Sequence, residues 1–222
     1  MIKVLVLGDS HSNIFSRRIA FLFKKLFLNK FEFLVCSVPG ATISGIENPN
    51  SKTNTAVIFQ KALNKNTQCE YCILYIGEVD TGFLLWYKFE QEGLDLEDLF
   101  NLTIDKYTGL VQKVFELGYK PIVISTPLPT IKDGTDYGPI ASARKLIKAT
   151  QIERTKLTLR FNSRMKDICL KKKYGFVDLD NISIAPSGVV RTFLLNLNRK
   201  DHHYNPITHS LILFYALKNF FK

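Results

Sequence analysis

Five short apolar runs recur along the chain, and stretches with helical periodicity separate them. Their content of Val, Ile, Leu, Phe and Tyr is typical of buried β-strands. Short apolar strands that alternate with helices predict an α/β fold with a parallel sheet covered on both faces. The predicted strands span residues 2–8, 31–38, 71–77, 120–126 and 175–180.

The stretches between the strands predict helices over 12–29, 55–65, 96–117 and 141–173, and a last helix that begins near Asn205 and Pro206. Ser12 or Asn13 is expected to cap the first helix, and Gly118 is expected to end the third. An acidic loop is expected before residue 96. Residues 181–204 are compatible with a short strand or a helical turn.

Small and polar residues follow the predicted strands. The first strand leads into Gly8, Asp9, Ser10 and His11, and three of the four histidines lie within residues 202–209. Because right-handed crossovers place all post-strand loops at the carboxyl edge of a parallel sheet, these residues are expected to meet there.

Serine, histidine and aspartate at such an edge can act as nucleophile, base and orienting group. Other interpretations stay open: Ser10 as a helix cap, surface histidines, or a metal site. A metal site would draw on Asp201, His202, His203 and His209, although their spacing matches no strong ligand motif. The chain contains no G-x-S-x-G pattern and no Walker A loop, and no G-x-G-x-x-G follows the first strand. These absences disfavour an α/β-hydrolase elbow and nucleotide-binding loops.

The chain resembles the SGNH hydrolases of the GDSL esterase and lipase superfamily. The resemblance rests on "GDSH", "VPGAT" with Gly40, "STPLP" and "DHHYNP", which occur in the family's order. It implies a three-layer α/β/α sandwich with a parallel sheet of about five strands, like that of flavodoxin. It also implies Ser10 as nucleophile, His203 as base and Asp201 as orienting carboxylate, with Asp9 shaping the turn.

Two departures from the family's motifs are visible. The third block usually reads G-x-N-D, but here "GEVD" places Val79 where an asparagine normally donates to the oxyanion. Asp201 also stands two residues before His203, where the family spaces them by three. The expected oxyanion hole therefore consists of the backbone N–H groups of Ser10 and Gly40, with that of Val79 as a further candidate. The substrate-binding candidates are His11, Glu78, Asp80 and His202, although Glu78 and Asp80 could instead only solvate their loop.

The composition, 46% hydrophobic and 23% charged, is that of an ordinary globular protein, and one domain is expected over residues 1–222. No apolar run is long enough for a transmembrane segment. The net charge of +10 is concentrated in residues 141–173, where eleven Lys or Arg oppose Glu153 and Asp167. This segment predicts either an anionic partner or a solvated helix face. It lacks the aromatic residues of a nucleic-acid platform, so no nucleic acid is expected.

Cysteine usage indicates a reducing compartment, and a cytoplasmic location is expected. Cys69 and Cys72 form a CxxC within a strand, where that spacing points the two sulfurs to opposite faces, so core cysteines are expected. No cofactor and no metal are expected. The resemblance implies a serine esterase that acts on a small-molecule or glycan ester, such as an O-acetylated carbohydrate. The alternatives are a carbohydrate O-acyltransferase and a catalytically silent glycan- or partner-binding domain.

Overall fold

The computed structural model describes residues 1–46, 48, 51–134 and 144–221. All five predicted strands are present and form one parallel sheet in the order β2-β1-β3-β4-β5. The predicted α/β fold with a five-stranded parallel sheet is therefore confirmed. The strands are β1 Ile2–Gly8, β2 Phe31–Ser37, β3 Tyr71–Tyr75, β4 Lys120–Ile124 and β5 Gly175–Val177.

Helices connect the strands and cover both faces of the sheet. A 3-10 turn, Ser10–Ser16, precedes the first α-helix, and a π-helical turn, Asp80–Leu84, precedes the third. A second 3-10 turn, Thr192–Leu194, lies before the last helix. The α-helices whose bounds fall within the described residues are α1 Arg18–Phe27, α2 Thr55–Lys65, α3 Leu85–Glu92, α4 Leu96–Glu116, α5 Gln151–Lys172, α6 Asp180–Ser183 and α7 Pro206–Phe220.

Alternate side chains of the strands enter two separate cores, because successive residues of a strand point to opposite faces. Leu5 and Leu7 of β1 pack in the core that α2, α4 and α5 cover. Val4 and Val6 pack in the core that α1 and α7 cover. Cys69 and Cys72 are core cysteines, as expected, and both are buried in the first of these cores. The prediction that they lie on opposite faces of one strand is wrong, because Cys69 precedes β3. The three-layer sandwich is thus the direct result of the apolar runs.

Three sequence expectations differ from the structure. The chain enters the first helical segment at Ser10 instead of residue 12, and the side chain of Asp9 caps it in place of Ser12 or Asn13. The prediction of an acidic loop before residue 96 is wrong, because residues 80–92 are helical. The long basic helix begins at Gln151, where Thr150 forms a capping box, and residues 145–150 before it are not helical, whereas residues 141–143 of the predicted helix lie outside the described residues.

The remaining expectations about elements agree with the structure. Gly118 follows α4 with φ +90°, a conformation that glycine adopts without strain. Asn205 caps α7 by accepting hydrogen bonds from two backbone N–H groups. Residues 181–204 contain a 3-10 turn and two isolated β-bridges. The two interpretations of that segment, a helical turn and a short strand, are therefore each partly correct. Among the described helices, none has the length and apolarity needed to cross a bilayer.

Candidate active site

The site lies at the carboxyl edge of the sheet beside β1. The connection after β1 leads to β2 on one side of it, and the connection after β2 leads to β3 on the other side. In open α/β sheets this switch point is where ligands bind. Gly8 ends β1 there, and a Cβ on it would come 2.2 Å from the carbonyl oxygen of Tyr75. Glycine is therefore required at the point where the chain turns from β1 into the site.

Asp9 shapes the turn that presents Ser10. Its Oδ1 accepts a hydrogen bond from the N–H of His11 at 2.8 Å, and its carbonyl oxygen accepts from the Ser12 and Ser37 hydroxyls at 2.6 and 2.8 Å. Burial raises the pKa of Asp9 to about 6. Since these contacts hold the loop from within, Asp9 has the turn-shaping role that the resemblance implies.

Ser10, His203 and Asp201 form a continuous hydrogen-bonded line, although Ser10 and His203 are 193 positions apart in the sequence. Nε2 of His203 lies 2.9 Å from Oγ of Ser10. Nδ1 of the same ring lies 2.6 Å from Oδ1 of Asp201, which also accepts from the backbone N–H of His203 at 3.0 Å. A nucleophile, a base and an orienting carboxylate in this arrangement can carry out acyl transfer.

The pKa shifts suit this arrangement. Burial opposes ionisation of Asp201, but hydrogen bonds from the backbone and ring of His203 outweigh it and lower the pKa of the carboxyl. Burial and the nearby charge of His11 lower the pKa of His203 below its ordinary 6.5, against the opposing effect of Asp201. At neutral pH the ring of His203 is therefore neutral and can accept a proton.

A buried ion pair stands behind this line of residues. Nη2 of Arg144 donates to both carboxylate oxygens of Glu78, at 2.7 and 2.8 Å. Nε2 of His11 is 3.8 Å from the same carboxylate, and the His11 ring centroid is 4.7 Å from that of His203. Burial raises the pKa of Glu78, but the charges of Arg144 and His11 prevail and hold it well below its usual range. Glu78 is therefore a buried anion and does not simply solvate its loop.

Asp80 ties the helical turn after β3 to the loop after β2. Both of its carboxylate oxygens accept hydrogen bonds from the loop after β2, Oδ2 from the N–H of Ile43 and Oδ1 from the N–H and hydroxyl of Ser44. The side chain is fully buried. These contacts give Asp80 a structural role instead of the substrate-binding role expected from the sequence.

Three backbone N–H groups are the oxyanion candidates. The N–H groups of Ser10 and Gly40 donate to no acceptor within the described residues. Gly40 has φ +73°, which favours glycine. Val79 has helical backbone angles at the start of the turn Asp80–Leu84, so its N–H belongs to the unpaired first turn of a helix. The side chain of Val79 is aliphatic and carries no hydrogen-bond donor, as expected from the sequence.

Three histidines cluster beside Ser10. The rings of His11, His202 and His203 bring their nitrogen atoms within 4.8 Å of one another, a set that could hold a metal ion. However, His203 already contacts Ser10 and Asp201, and the Arg144 cation on Glu78 disfavours a second cation here. His209 lies apart from this cluster and contacts the hydroxyl of Tyr75 at 2.9 Å, so the four-residue metal set considered from the sequence is not assembled.

Two residues near the site had no signal in the sequence. Arg144 was one of many cations in the basic segment, and its partner Glu78 is 66 positions away. Asn196 donates from Nδ2 to Oδ2 of Asp201 at 3.0 Å, which fixes the second carboxylate oxygen. The contact of Arg144 depends on long-range folding, whereas Asn196 is only five positions from Asp201 and reaches it through the local path of the chain.

The basic segment itself is largely an exposed helix face. Arg160 pairs with Glu97 of α4, and Lys166 pairs with Asp178. By contrast, Arg154 is buried and contacts Asp133. Whether an anionic partner binds this face stays a prediction.

Comparisons with known proteins identify the fold. No family model and no curated protein matches the sequence. Solved structures do match. Est24, a carbohydrate acetylesterase from Sinorhizobium meliloti, is 14% identical with a TM-score of 0.63, over 99% of this chain and 97% of that one. The acetyl xylan esterase AlAXEase is 14% identical with a TM-score of 0.61, over 98% of both chains. A GDSL-like lipase from Bacteroides thetaiotaomicron is 13% identical with a TM-score of 0.58, over 98% of this chain and 86% of that one. The protein therefore has the fold of the SGNH hydrolases, the GDSL esterase and lipase superfamily.

Proposed function

We propose that this protein is a serine ester hydrolase that removes an acyl group, such as acetyl, from a carbohydrate through an acyl-enzyme. The observation that carries the proposal is the line from Ser10 Oγ through the His203 ring to Asp201, with contacts of 2.9 and 2.6 Å. A hydroxyl that merely caps a helix would not need an imidazole oriented by a carboxylate.

In the proposed reaction, Oγ of Ser10 attacks the ester carbonyl carbon while Nε2 of His203 takes the hydroxyl proton. The developing oxyanion receives hydrogen bonds from the N–H groups of Ser10 and Gly40, with that of Val79 as the third candidate. The bond between the acyl carbon and the sugar oxygen then breaks, and His203 returns the proton to the leaving alcohol. Water repeats the sequence on the acyl-enzyme, releasing the carboxylic acid and restoring Ser10.

The carbohydrate part of the proposal is supported by two matching structures that are named as an acetyl xylan esterase and a carbohydrate acetylesterase. His202 is partly exposed beside the line and is available for a sugar hydroxyl, whereas His11 and the Glu78–Arg144 pair are buried behind it. The proposal assigns the activity to one domain over residues 1–222 in the cytoplasm.

The test is labelling with a fluorophosphonate probe, which reacts only with an activated serine hydroxyl. We expect stoichiometric labelling of the wild type at Ser10, and none of Ser10→Ala or His203→Ala. His202→Ala is the matched control, since its ring lies beside that of His203, and of the two rings it is that of His203 that makes the hydrogen bonds to Ser10 and Asp201. Loss of labelling in His202→Ala with retention in His203→Ala would refute the assignment of the base.

The reaction itself is tested with acetylated xylo-oligosaccharide. We expect the wild type to release free acetate, and each of Ser10→Ala and His203→Ala to lower kcat at least about 10³-fold. The double variant should be little worse than either single variant, because the two residues act as a unit. Acetate transfer to an added sugar without release of free acetate would contradict hydrolysis and identify a transferase.

A further inference from the structure

Helix α1 turns large apolar side chains outward. Phe21, Leu22 and Leu26 are 57%, 66% and 69% exposed, whereas Ala20 is the buried residue of this helix. A surface helix of a globular protein normally directs its apolar stripe at the core. In α1 the core-facing stripe is formed by Ala20, Phe23 and Phe27. Phe21, Leu22 and Leu26 form a second apolar surface, which faces away from the protein.

Helix α7 continues the same surface. Its Tyr215 ring contacts Phe27 of α1 with a centroid distance of 5.8 Å, and Nζ of Lys218 lies 5.4 Å from the centre of the Phe27 ring. Helices α1 and α7 therefore pack side by side, and their exposed apolar residues are here together named the α1–α7 face. It consists of Phe21, Leu22, Leu26, Leu211 and Tyr215.

The two segments that contain α1 and α7 carry charge of one sign. Residues 10–31 and 202–221, which contain both helices, include no Asp or Glu. The cations that accompany the apolar side chains are Arg17, Arg18, Lys24, Lys25 and Lys218. Such a mixture of apolar and cationic side chains on exposed helices is typical of segments that lie in the interface of an anionic bilayer.

We propose that the α1–α7 face docks on a membrane surface that carries anionic phospholipid. The apolar side chains enter the boundary between headgroups and acyl chains, while the lysines and arginines contact lipid phosphates. A second copy of this chain is a poorer partner. A symmetric dimer would set the face against itself, and no carboxylate of either helix would offset the repeated cations.

The basic helix α5 is on the opposite face of the sheet and is not part of this surface. Two of its cations already have carboxylate partners, Glu97 for Arg160 and Asp178 for Lys166. The α1–α7 face also borders the candidate active site. Helix α1 follows the turn that starts at Ser10, and α7 begins three residues after His203. Docking would therefore leave the carboxyl edge of the sheet beside the membrane.

The experiment is co-sedimentation of the full chain with two kinds of vesicle, one of phosphatidylcholine alone and one with about equal parts of phosphatidylglycerol. We expect binding to the mixed vesicles, weakened by added salt because exposed charges are screened over about 10 Å at 0.1 M. Leu22→Ser/Leu26→Ser and Lys24→Glu/Lys25→Glu should each weaken the partition at least about tenfold. Circular dichroism and esterase turnover in solution check that both variants stay folded.

The matched controls lie on the other face of the molecule. Leu102→Ser removes an exposed leucine of α4, and Lys156→Glu/Lys171→Glu reverses two exposed lysines of α5. Both should bind vesicles like the wild type. Equal binding to the two kinds of vesicle, no binding to either, or loss of binding in the α5 variant would overturn the proposal. A stable dimer in solution that Leu22→Ser/Leu26→Ser dissociates would also overturn it.

Discussion

Arg144→Met tests whether the ion pair behind the candidate nucleophile is a buried electrostatic unit. The side chains of Arg144 and Glu78 are only 6% and 5% exposed, and one guanidinium nitrogen donates to both carboxylate oxygens. After the substitution, the next cationic group near Glu78 is His11, 3.8 Å away. Removing one partner of a buried pair typically costs about 3–5 kcal/mol, because the other charge stays buried and uncompensated. We expect the free energy of unfolding at pH 7 to fall by this amount.

The double variant Glu78→Gln/Arg144→Met removes both charges and should recover most of the loss, to within about 2 kcal/mol of the wild type. The wild-type pair offsets its own desolvation: two unit charges about 4 Å apart attract by about 4 kcal/mol at an effective dielectric constant of 20. The net contribution of the pair is therefore small, although breaking it is costly.

The stability loss should also depend on pH in a defined direction. In the wild type the pKa of Glu78 lies well below 4.5, so its stabilising effect is present above pH 4.5 and is lost as pH falls through the folded-state pKa. In Arg144→Met, burial should raise that pKa above 4.5. The variant therefore becomes less stable as pH rises from 4.5 through the raised pKa, and the difference from wild type should be largest at neutral pH.

The assay is urea-induced unfolding, followed by the fluorescence of Trp86, the single tryptophan. Arg160→Met is the matched control, because Arg160 and its partner Glu97 are about half exposed. Such a surface pair contributes about 0–1 kcal/mol. The reasoning is refuted if Arg144→Met costs no more than Arg160→Met at pH 7. It is also refuted if the double variant loses as much as the two single variants together.

Three further predictions address the site and its frame. Since His203 must be neutral to act as base and its pKa lies below 6.5, the acid limb of kcat/KM should lie below pH 6.5, and a limb above that value would contradict the assignment. Val79→Asn should raise aryl-ester turnover about tenfold or more if the oxyanion hole lacks a side-chain donor, and slower turnover would show a complete hole. Gly8→Ala should cost at least about 3 kcal/mol in urea unfolding because of the 2.2 Å clash, whereas Gly109→Ala, with nothing within 4 Å of the new Cβ, should be neutral or stabilising.

The strands could be predicted because their signal is local. Each apolar run identifies a buried strand without information from the rest of the chain, and the order of motifs then predicts one edge for Ser10 and His203. The helix at residues 80–92 could not be predicted in this way. Its acidic composition is typical of a loop, but Asp80 is buried by contacts with Ile43 and Ser44, 37 and 36 positions away.

The late start of the basic helix has a similar cause. The N–H groups of Lys148 and Ala149 donate to Glu90, which holds the chain before Thr150 in a non-helical path. Within the candidate site, the line of Ser10, His203 and Asp201 follows from short motifs. The Glu78–Arg144 pair depends on a contact between distant segments, so residue types and spacing alone could not reveal it.

The contacts of Asp80 have a consequence for how the binding site can diverge among related proteins. Asp80 ties the loop that carries Gly40 to the segment that carries Val79. These two segments are the walls of the site, and a displacement of one of them would therefore also displace the other. An insertion or deletion in either wall would have to preserve that tie, or be matched by a change in the other. New substrate preferences would therefore arise more readily through side chains on these walls than through changes in their length.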